Sequence, residues 1–383
     1  MSIETTVTRA WQRQAAWLWL LLPVSWLYGL ITVMRRQAYK TGMLSSYRAP
    51  IPVMVIGNIS VGGSGKTPLI IALVEHLQDK GIKVGVISRG YGGDTSQMPT
   101  LVDNASLPNV VGDEPCLIVN MTGAAMAVCP NREQAITTLL QTHPDLQLII
   151  ADDGLQHYAL QRDIEWIVVD AARGFGNKQL LPTGFLREPI SRLKEASVIY
   201  HESPKTASAR DNNSYGHEHS THRLIMRLEA NNMQRLWQPE LFDAQLNCDV
   251  PKKGSKVHAV SGIGYPQRFF NTLASLGFEV IEHPYPDHHD FNLAELLQYN
   301  DHPIVVTTKD AVKIKALLIK HTAEQALTNE YQALVDRLWV LPVTAILSDN
   351  CYAHLHQQLK HLGVVANNKA NNGKANNEKS SNG

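Results

Sequence analysis

Val53-Met54-Val55-Ile56-Gly57-Asn58-Ile59-Ser60-Val61-Gly62-Gly63-Ser64-Gly65-Lys66-Thr67-Pro68 sets an apolar strand, a glycine-rich turn and a helix start in immediate succession. In that order a Gly-Lys-Thr ending binds phosphate. The glycines let backbone N–H groups curl around phosphate oxygens, and the helix aims its unpaired donors and the positive end of its dipole at the same charge. The expected nucleotide cradle is therefore Asn58, Ser60, Val61, Gly62, Gly63, Ser64 and Gly65, with Lys66 bridging the β- and γ-phosphates and Thr67 offering its hydroxyl to Mg2+. Ser60 stands where the strict G-x-x-x-x-G-K-[ST] pattern has its first glycine, so the loop is a variant.

Outward from the loop, from Pro52 to about Tyr200, apolar runs alternate with helical patterns: 84–87, 146–151 and 166–169 read as strands, 67–78 and 132–141 as helices. Such alternation predicts an α/β fold with a parallel sheet covered on both faces. A second block with the same alternation follows, with strands at 257–260, 280–281 and 304–306 and helices at 267–276, 293–299 and from Asp310. The two blocks are separated by a polar stretch, 201–223, whose His217, His219 and His222 lack the carboxylate or cysteine frame of a metal site. The expected organisation is an N-terminal helix over 1–40, a P-loop domain over 41–215, a second α/β domain over 216–365, and an Asn-rich tail over 366–383 too polar to bury a core.

Composition limits the function. Of 383 residues 44% are apolar and 18% charged, and 35 basic side chains balance 35 acidic ones, which gives nucleic acid no basic footprint to bind. Cys116, Cys129, Cys248 and Cys351 form no CxxC pair and read as reduced packing residues. The N-terminus departs from this average. Ala15 to Met34 carries no charge, and Trp11, Trp17, Trp19 and Trp26 are four of the seven tryptophans. Arg9, Arg13, Arg35, Arg36 and Lys40 flank the run, while Pro23, Ser25, Gly29 and Thr32 interrupt it. This pattern predicts a helix lying in or dipping into a membrane face rather than a full span or a cleaved signal peptide.

A P-loop needs carboxylates for its metal, and the natural place is the end of a neighbouring strand. Leu148 to Gly154 ends an apolar run in Asp152 and Asp153, with Gln156 and His157 close behind. Two further acidic segments, around Asp113 and Glu114 and around Asp287, His288, His289 and Asp290, carry the groups a kinase uses to take a proton from an alcohol. Asp113 suits a helix cap before Pro115 equally well. Arg187, beside Glu188, adds a cation for phosphate charge.

Taken together, Gly57 to Pro68, Ser88-Arg89-Gly90-Tyr91-Gly92, Gly112 to Pro115, Asp152 to His157, Gly184 to Pro189, Asp287-His288-His289 and Thr307 to Lys313 resemble the tetraacyldisaccharide 4′-kinases of lipid A biosynthesis, from the apolar N-terminus to about Leu359. The resemblance implies transfer of the ATP γ-phosphate to the 4′-hydroxyl of a tetraacylated glucosamine disaccharide 1-phosphate, giving lipid IV A at the cytoplasmic face of the inner membrane. By that resemblance Asp113 is the base, His288 its partner in a dyad, and Asp152 and Asp153 hold Mg2+. It also implies two α/β/α domains joined by a short β linker, with the reaction in the cleft between them. No protein partner is implied. The competing reading is a P-loop GTPase or ATPase switch, including a metallochaperone-type NTPase. The nearest string to its guanine-reading [NT]-K-x-D, Thr308-Lys309-Asp310-Ala311, puts alanine where the aspartate belongs.

Overall fold

Val53–Gly57 is short, rich in β-branched residues and buried at all five positions. A strand of that kind sits in the middle of a sheet covered on both faces. The computed structural model describes residues 7, 10, 11, 13–202, 223–237, 250–324 and 328–365. The expected readings for His217, His219, His222, Cys248 and the Asn-rich tail fall outside those residues.

In chain order the first strands are β1 (Val53–Gly57), β2 (Val84–Ser88), β3 (Thr100–Val102), β4 (Ala125–Val128), β5 (Leu148–Asp152), β6 (Ile164–Asp170), β7 (Ser197–Glu202) and β8 (Leu224–Ala230). They are followed by β9 (Gln234–Arg235), β10 (Lys256–Ser261), β11 (Glu279–Pro284), β12 (Ile304–Thr307), β13 (Leu338–Leu341) and β14 (Val343–Leu347). Among the described residues these form a nine-stranded sheet, ordered β14-β8-β7-β6-β1-β5-β2-β4-β3, and a five-stranded sheet, ordered β11-β10-β12-β13-β9. In the larger sheet only the outermost strands, β3 and β14, pair antiparallel.

The residues expected as one block, 216–365, contribute to both sheets. β8 and β14 pair with each other at the edge of the large sheet, while β9 and β13 pair with each other at the edge of the small one. Asn231 N–H donates to Pro342 O at 2.9 Å between the two pairings, so one antiparallel ribbon runs from sheet to sheet. Beyond β14 the helix Asp349–His361 buries Cys351, Leu355 and Leu359 in the core that Leu69, Ile70, Leu73 and Trp166 share beneath the large sheet. No alternation in the sequence announces this return: β14 lies at the edge of the sheet, and β8, paired on both sides, mixes buried with exposed positions.

Cys116, Cys129 and Cys351 are buried free thiols, as the absence of pairing motifs leads one to expect. The N-terminal residues form a 3₁₀ turn, Ala16–Leu21, and a helix, Leu22–Lys40. Together they are long and apolar enough to cross a membrane by length and composition, with a mean hydropathy of 1.7. Trp17, Trp19, Leu20, Trp26, Leu27, Leu30, Ile31 and Met34 are exposed. The opposite face docks on the protein. Ser25 Oγ donates to Leu180 O at 3.0 Å, Tyr28 Oη to Arg187 O at 3.0 Å and Trp11 Nε1 to Pro182 O at 2.9 Å, while Lys40 pairs with Glu195 at 2.8 Å.

Because the C-terminal helix is part of the first core, Leu355→Ala should destabilise the whole large-sheet unit by about 2–5 kcal/mol. Urea denaturation followed by Trp166 fluorescence reads this. An unchanged midpoint would mean that the helix is only an appendage.

Candidate active site

The parallel register of β1 with β5 sets Ile56 beside Asp152, so the glycine loop and the acidic pair leave the same end of the sheet. The loop turns into the helix Lys66–Asp79 through Gly65, whose φ of 94° lies in the left-handed region that glycine enters without strain. Leu69, Ile70, Leu73, Val74 and Leu77 bury the inner face of that helix, which fixes its N-terminus at the loop.

Lys66 Nζ donates to Asn58 Oδ1 at 3.0 Å and pairs with Asp153 Oδ1 at 3.1 Å. Arg187 Nη1 lies 3.1 Å from Asp153 Oδ2. Burial opposes ionisation of Asp153, but Lys66 and Arg187 outweigh it and hold the carboxyl down to about 2. Asp153 also has a φ of 46°, an uncommon backbone state for a residue with a side chain. Asp152 is buried, accepts from Ser88 Oγ at 3.1 Å through Oδ2, and has no hydrogen-bond partner for Oδ1 among the described residues. Burial, then the charge of Glu114, pushes it up to about 7. A buried carboxylate oxygen without a donor, next in sequence to a second carboxylate, offers the hard oxygens that suit Mg2+.

The segment after Gly184 clamps the loop from outside. Val61 N–H donates to Phe185 O at 2.8 Å and Arg187 N–H to Ile59 O at 2.7 Å. Gln156 Nε2 donates to Glu188 Oε1 at 3.0 Å and to Asn58 O at 3.4 Å, and buried Glu188 lies 3.2 Å from Arg192 Nε. His157 is half-buried and, by desolvation and then the charges of Arg132 and Arg162, pushed down to about 4, so it is a neutral imidazole. Gln156 and Glu188 thus brace the loop.

Asp113 and His288, 175 residues apart, meet: His288 Nδ1 lies 3.1 Å from Asp113 Oδ2. Asp113 opens the helix Asp113–Thr122 and Gly112 takes the cap position, which departs from the cap reading of Asp113. Gly112 has φ 98°, and a Cβ there would lie 2.6 Å from Tyr91 O, so only glycine lets the helix start this close. Asp113 Oδ1 accepts the Glu114 N–H at 2.9 Å. Burial works against its charge, yet the His288 hydrogen bond and the nearby Lys309 and Lys313 hold it below the usual carboxylate range. On the His288 side burial lowers basicity and the bond to Asp113 more than restores it, leaving the imidazole above its ordinary value. His289 points elsewhere, with Nε2 3.1 Å from Glu295 Oε2 and its ring packed on Tyr285 and Phe291.

Three contributors had no role in the sequence reading. Arg132 Nη2 donates to Asp152 O at 2.9 Å, His201 Nδ1 donates to Ser64 O at 3.0 Å, and Lys309 Nζ reaches Glu114 Oε1 at 3.0 Å. Lys309 stood inside a quoted motif, whereas nothing local marks Arg132 within its helix or His201 at the edge of a polar stretch.

A glycine loop closing on β1, acidic residues on the adjacent strand and a carboxylate–imidazole pair joining the two sheet units define a P-loop phosphotransferase. Residues 17–360 match the family model described as tetraacyldisaccharide-1-P 4′-kinase, and the chain belongs to that family. It is 69% identical over 381 residues to the tetraacyldisaccharide 4′-kinase of Psychrobacter arcticus, covering 96% of this chain and 98% of that one. It is 42% identical over 316 residues to that of Ectopseudomonas mendocina, covering 82% and 90%. The fold is similar to a crystal structure of the Aquifex aeolicus "apo" form protein in complex with ATP, with a TM-score of 0.62 and 23% identity over 90% of this chain and 99% of the other.

Asp152 also couples the site to stability. Its carboxyl keeps a proton in the folded state that the unfolded chain gives up above 3.8, so it weakens folding increasingly between about pH 4 and about pH 7. Asp152→Asn should therefore stabilise the metal-free protein by on the order of 1–3 kcal/mol at pH 8 and by much less at pH 5. Equal gains at both pH values in thermal unfolding would contradict this account.

Proposed function

We propose that this chain transfers the γ-phosphate of ATP to the 4′-hydroxyl of a tetraacyldisaccharide 1-phosphate, the step of lipid A biosynthesis that yields lipid IV A, with Mg2+ as cofactor and at the cytoplasmic face of the inner membrane. The observation that carries the reading is the contact of His288 with Asp113, because it sets an ionised carboxylate from one sheet unit against an imidazole from the other, whose Gly264 lies against Gly62 and Gly63 of the phosphate loop. The family name of the relatives supplies the acceptor.

Thr67, Asp152 and Asp153 would hold Mg2+, which neutralises charge on the β- and γ-phosphates when bound. Lys66, released from Asp153, turns to the same phosphates, and Arg187 stands beside it for charge that develops in transfer. Asp113 takes the hydroxyl proton as the acceptor oxygen forms its bond to the γ-phosphorus and the bond from that phosphorus to the ADP oxygen breaks. Its depressed basicity keeps it ionised and ready at neutral pH, and His288 orients it and shares the added charge. The GTPase reading loses ground here, since Thr308–Glu324 is a helix and its first turn carries Asp310 inward, 3.1 Å from Gly262 N.

A four-chain lipid stays in a bilayer, so its kinase must come to the surface. The exposed tryptophans and leucines of the N-terminal helix supply that affinity, and the docked face leaves them outward.

Purified protein with Mg·ATP should label the disaccharide 1-phosphate in detergent. Asp113→Ala should lower kcat by about 10²–10⁴-fold while ATP affinity stays within about twofold. Nucleotide turnover with no labelled lipid would sink the assignment, and full activity in the alanine variant would remove Asp113 from the mechanism.

A further inference from the structure

Lys309 stands at the meeting point of the two sheet units. Its ammonium lies 3.0 Å from Glu114 Oε1, 3.4 Å from Asp287 Oδ1, 3.8 Å from Asp113 Oδ2 and 3.3 Å from His288 Nε2. Glu114 and Asp113 come from the large-sheet unit, and Asp287, His288 and Lys309 from the small one. The side chain is largely buried, and its partners are acidic enough to raise its basicity further despite burial, so it is a fixed cation. An ammonium has only donors, so the one imidazole nitrogen it can satisfy is one with a free lone pair.

We propose that Lys309 is a positioning residue for the Asp113–His288 pair: by donating to His288 Nε2 it favours, against the imidazolium that Asp113 and Asp287 promote, the neutral tautomer whose proton sits on Nδ1, facing Asp113. This rests on the reading of Asp113 as the base. With the proton on Nδ1, His288 donates to one oxygen of Asp113 and leaves that carboxylate ionised. Without Lys309, His288 faces Asp113 and Asp287, whose Oδ1 is 3.8 Å from Nε2, with the Tyr91 ring tilted against it at 4.6 Å. Lys313, 3.9 Å from Asp113, would be the one ammonium left near the pair among the described residues. Two carboxylates would then favour the doubly protonated ring, which ties Asp113 into an ion pair and dulls it as a base. The backbone holds the ring where Lys309 can reach it: His288 takes a φ of 58° and its N–H donates to Gly262 O at 3.1 Å, while Gly262 N–H is held by Asp310, the residue after Lys309.

The test compares Lys309→Met and Lys309→Arg with the parent, measuring kcat and KM for Mg·ATP and for the tetraacyldisaccharide from about pH 6 to about pH 9, with thermal unfolding as a check on folding. Lys309→Met should lose about 10–100-fold in kcat with KM for Mg·ATP within about twofold, and the acid limb of its kcat profile should move up by about half a unit or more. Lys309→Arg should restore most of both, and it carries the test alone if the methionine variant does not fold, by keeping the parent's limb. A methionine variant reduced equally at every pH, or an arginine variant whose limb moves upward, overturns the proposal. Imidazole ¹⁵N shifts of His288 separate this outcome from failure of the base assignment. If Asp113→Asn is fully active the base reading falls, whereas a His288 ring in the same protonation state and tautomer in the parent and in Lys309→Met overturns the Lys309 proposal by itself.

Discussion

The parallel pairing of β1 with β5 is the contact on which the site is built. It is made of backbone hydrogen bonds between two wholly buried strands, and its register puts Ile56 beside Asp152. A slip of one residue would move Ile56 off Asp152 and pull the glycine loop out of line with the acidic pair. Everything polar at that end is consequently a matter of what the two strands carry past their last residues. Asp152 remains in the strand and pays in desolvation, while Asp153 turns out of it with a left-handed backbone and meets Lys66 and Arg187.

The two neighbouring aspartates show how environment divides equal chemistry. Asp153 has cations on both oxygens and is held strongly acidic, whereas Asp152 has a hydroxyl on one oxygen and no partner among the described residues on the other and is held weakly acidic. Glu114 adds to the second effect, and Glu114 is itself bound by Lys309. The carboxylates that suit a metal and the pair that suits an acceptor hydroxyl therefore feel each other's charge through one glutamate.

Four strands of the large sheet, β1, β2, β5 and β6, and the phosphate loop were legible because each local signal agreed with its neighbours: apolar runs, then glycines, then a helical period; β3, β4 and β7 drew no such reading. The pairing of Asp113 with His288 was not readable from spacing. Two segments 175 residues apart meet through the route of the chain between sheets, and only likeness to a family suggested it. The return of Val343–Leu347 and Asp349–His361 to the first sheet was missed for a related reason, since edge strands of mixed polarity carry little periodic signal. His289 illustrates the limit at single-residue scale. Its neighbour and it are alike in sequence, and only the positive φ at His288 sends one ring toward Asp113 and the other toward Glu295.

The docking of the N-terminal helix has a geometric corollary. Tyr28 bonds to the carbonyl of Arg187, and the N–H of the same Arg187 bonds to Ile59 at the root of the phosphate loop. Two hydrogen bonds through a single peptide segment thus join the exposed apolar helix to the phosphate loop. If the tryptophan-bearing face enters a lipid layer as proposed, these bonds would hold the phosphate loop at a set height above it, with the helix as a depth gauge. A hydroxyl offered too deep or too shallow in that layer would miss the loop even if the rest of its molecule fitted.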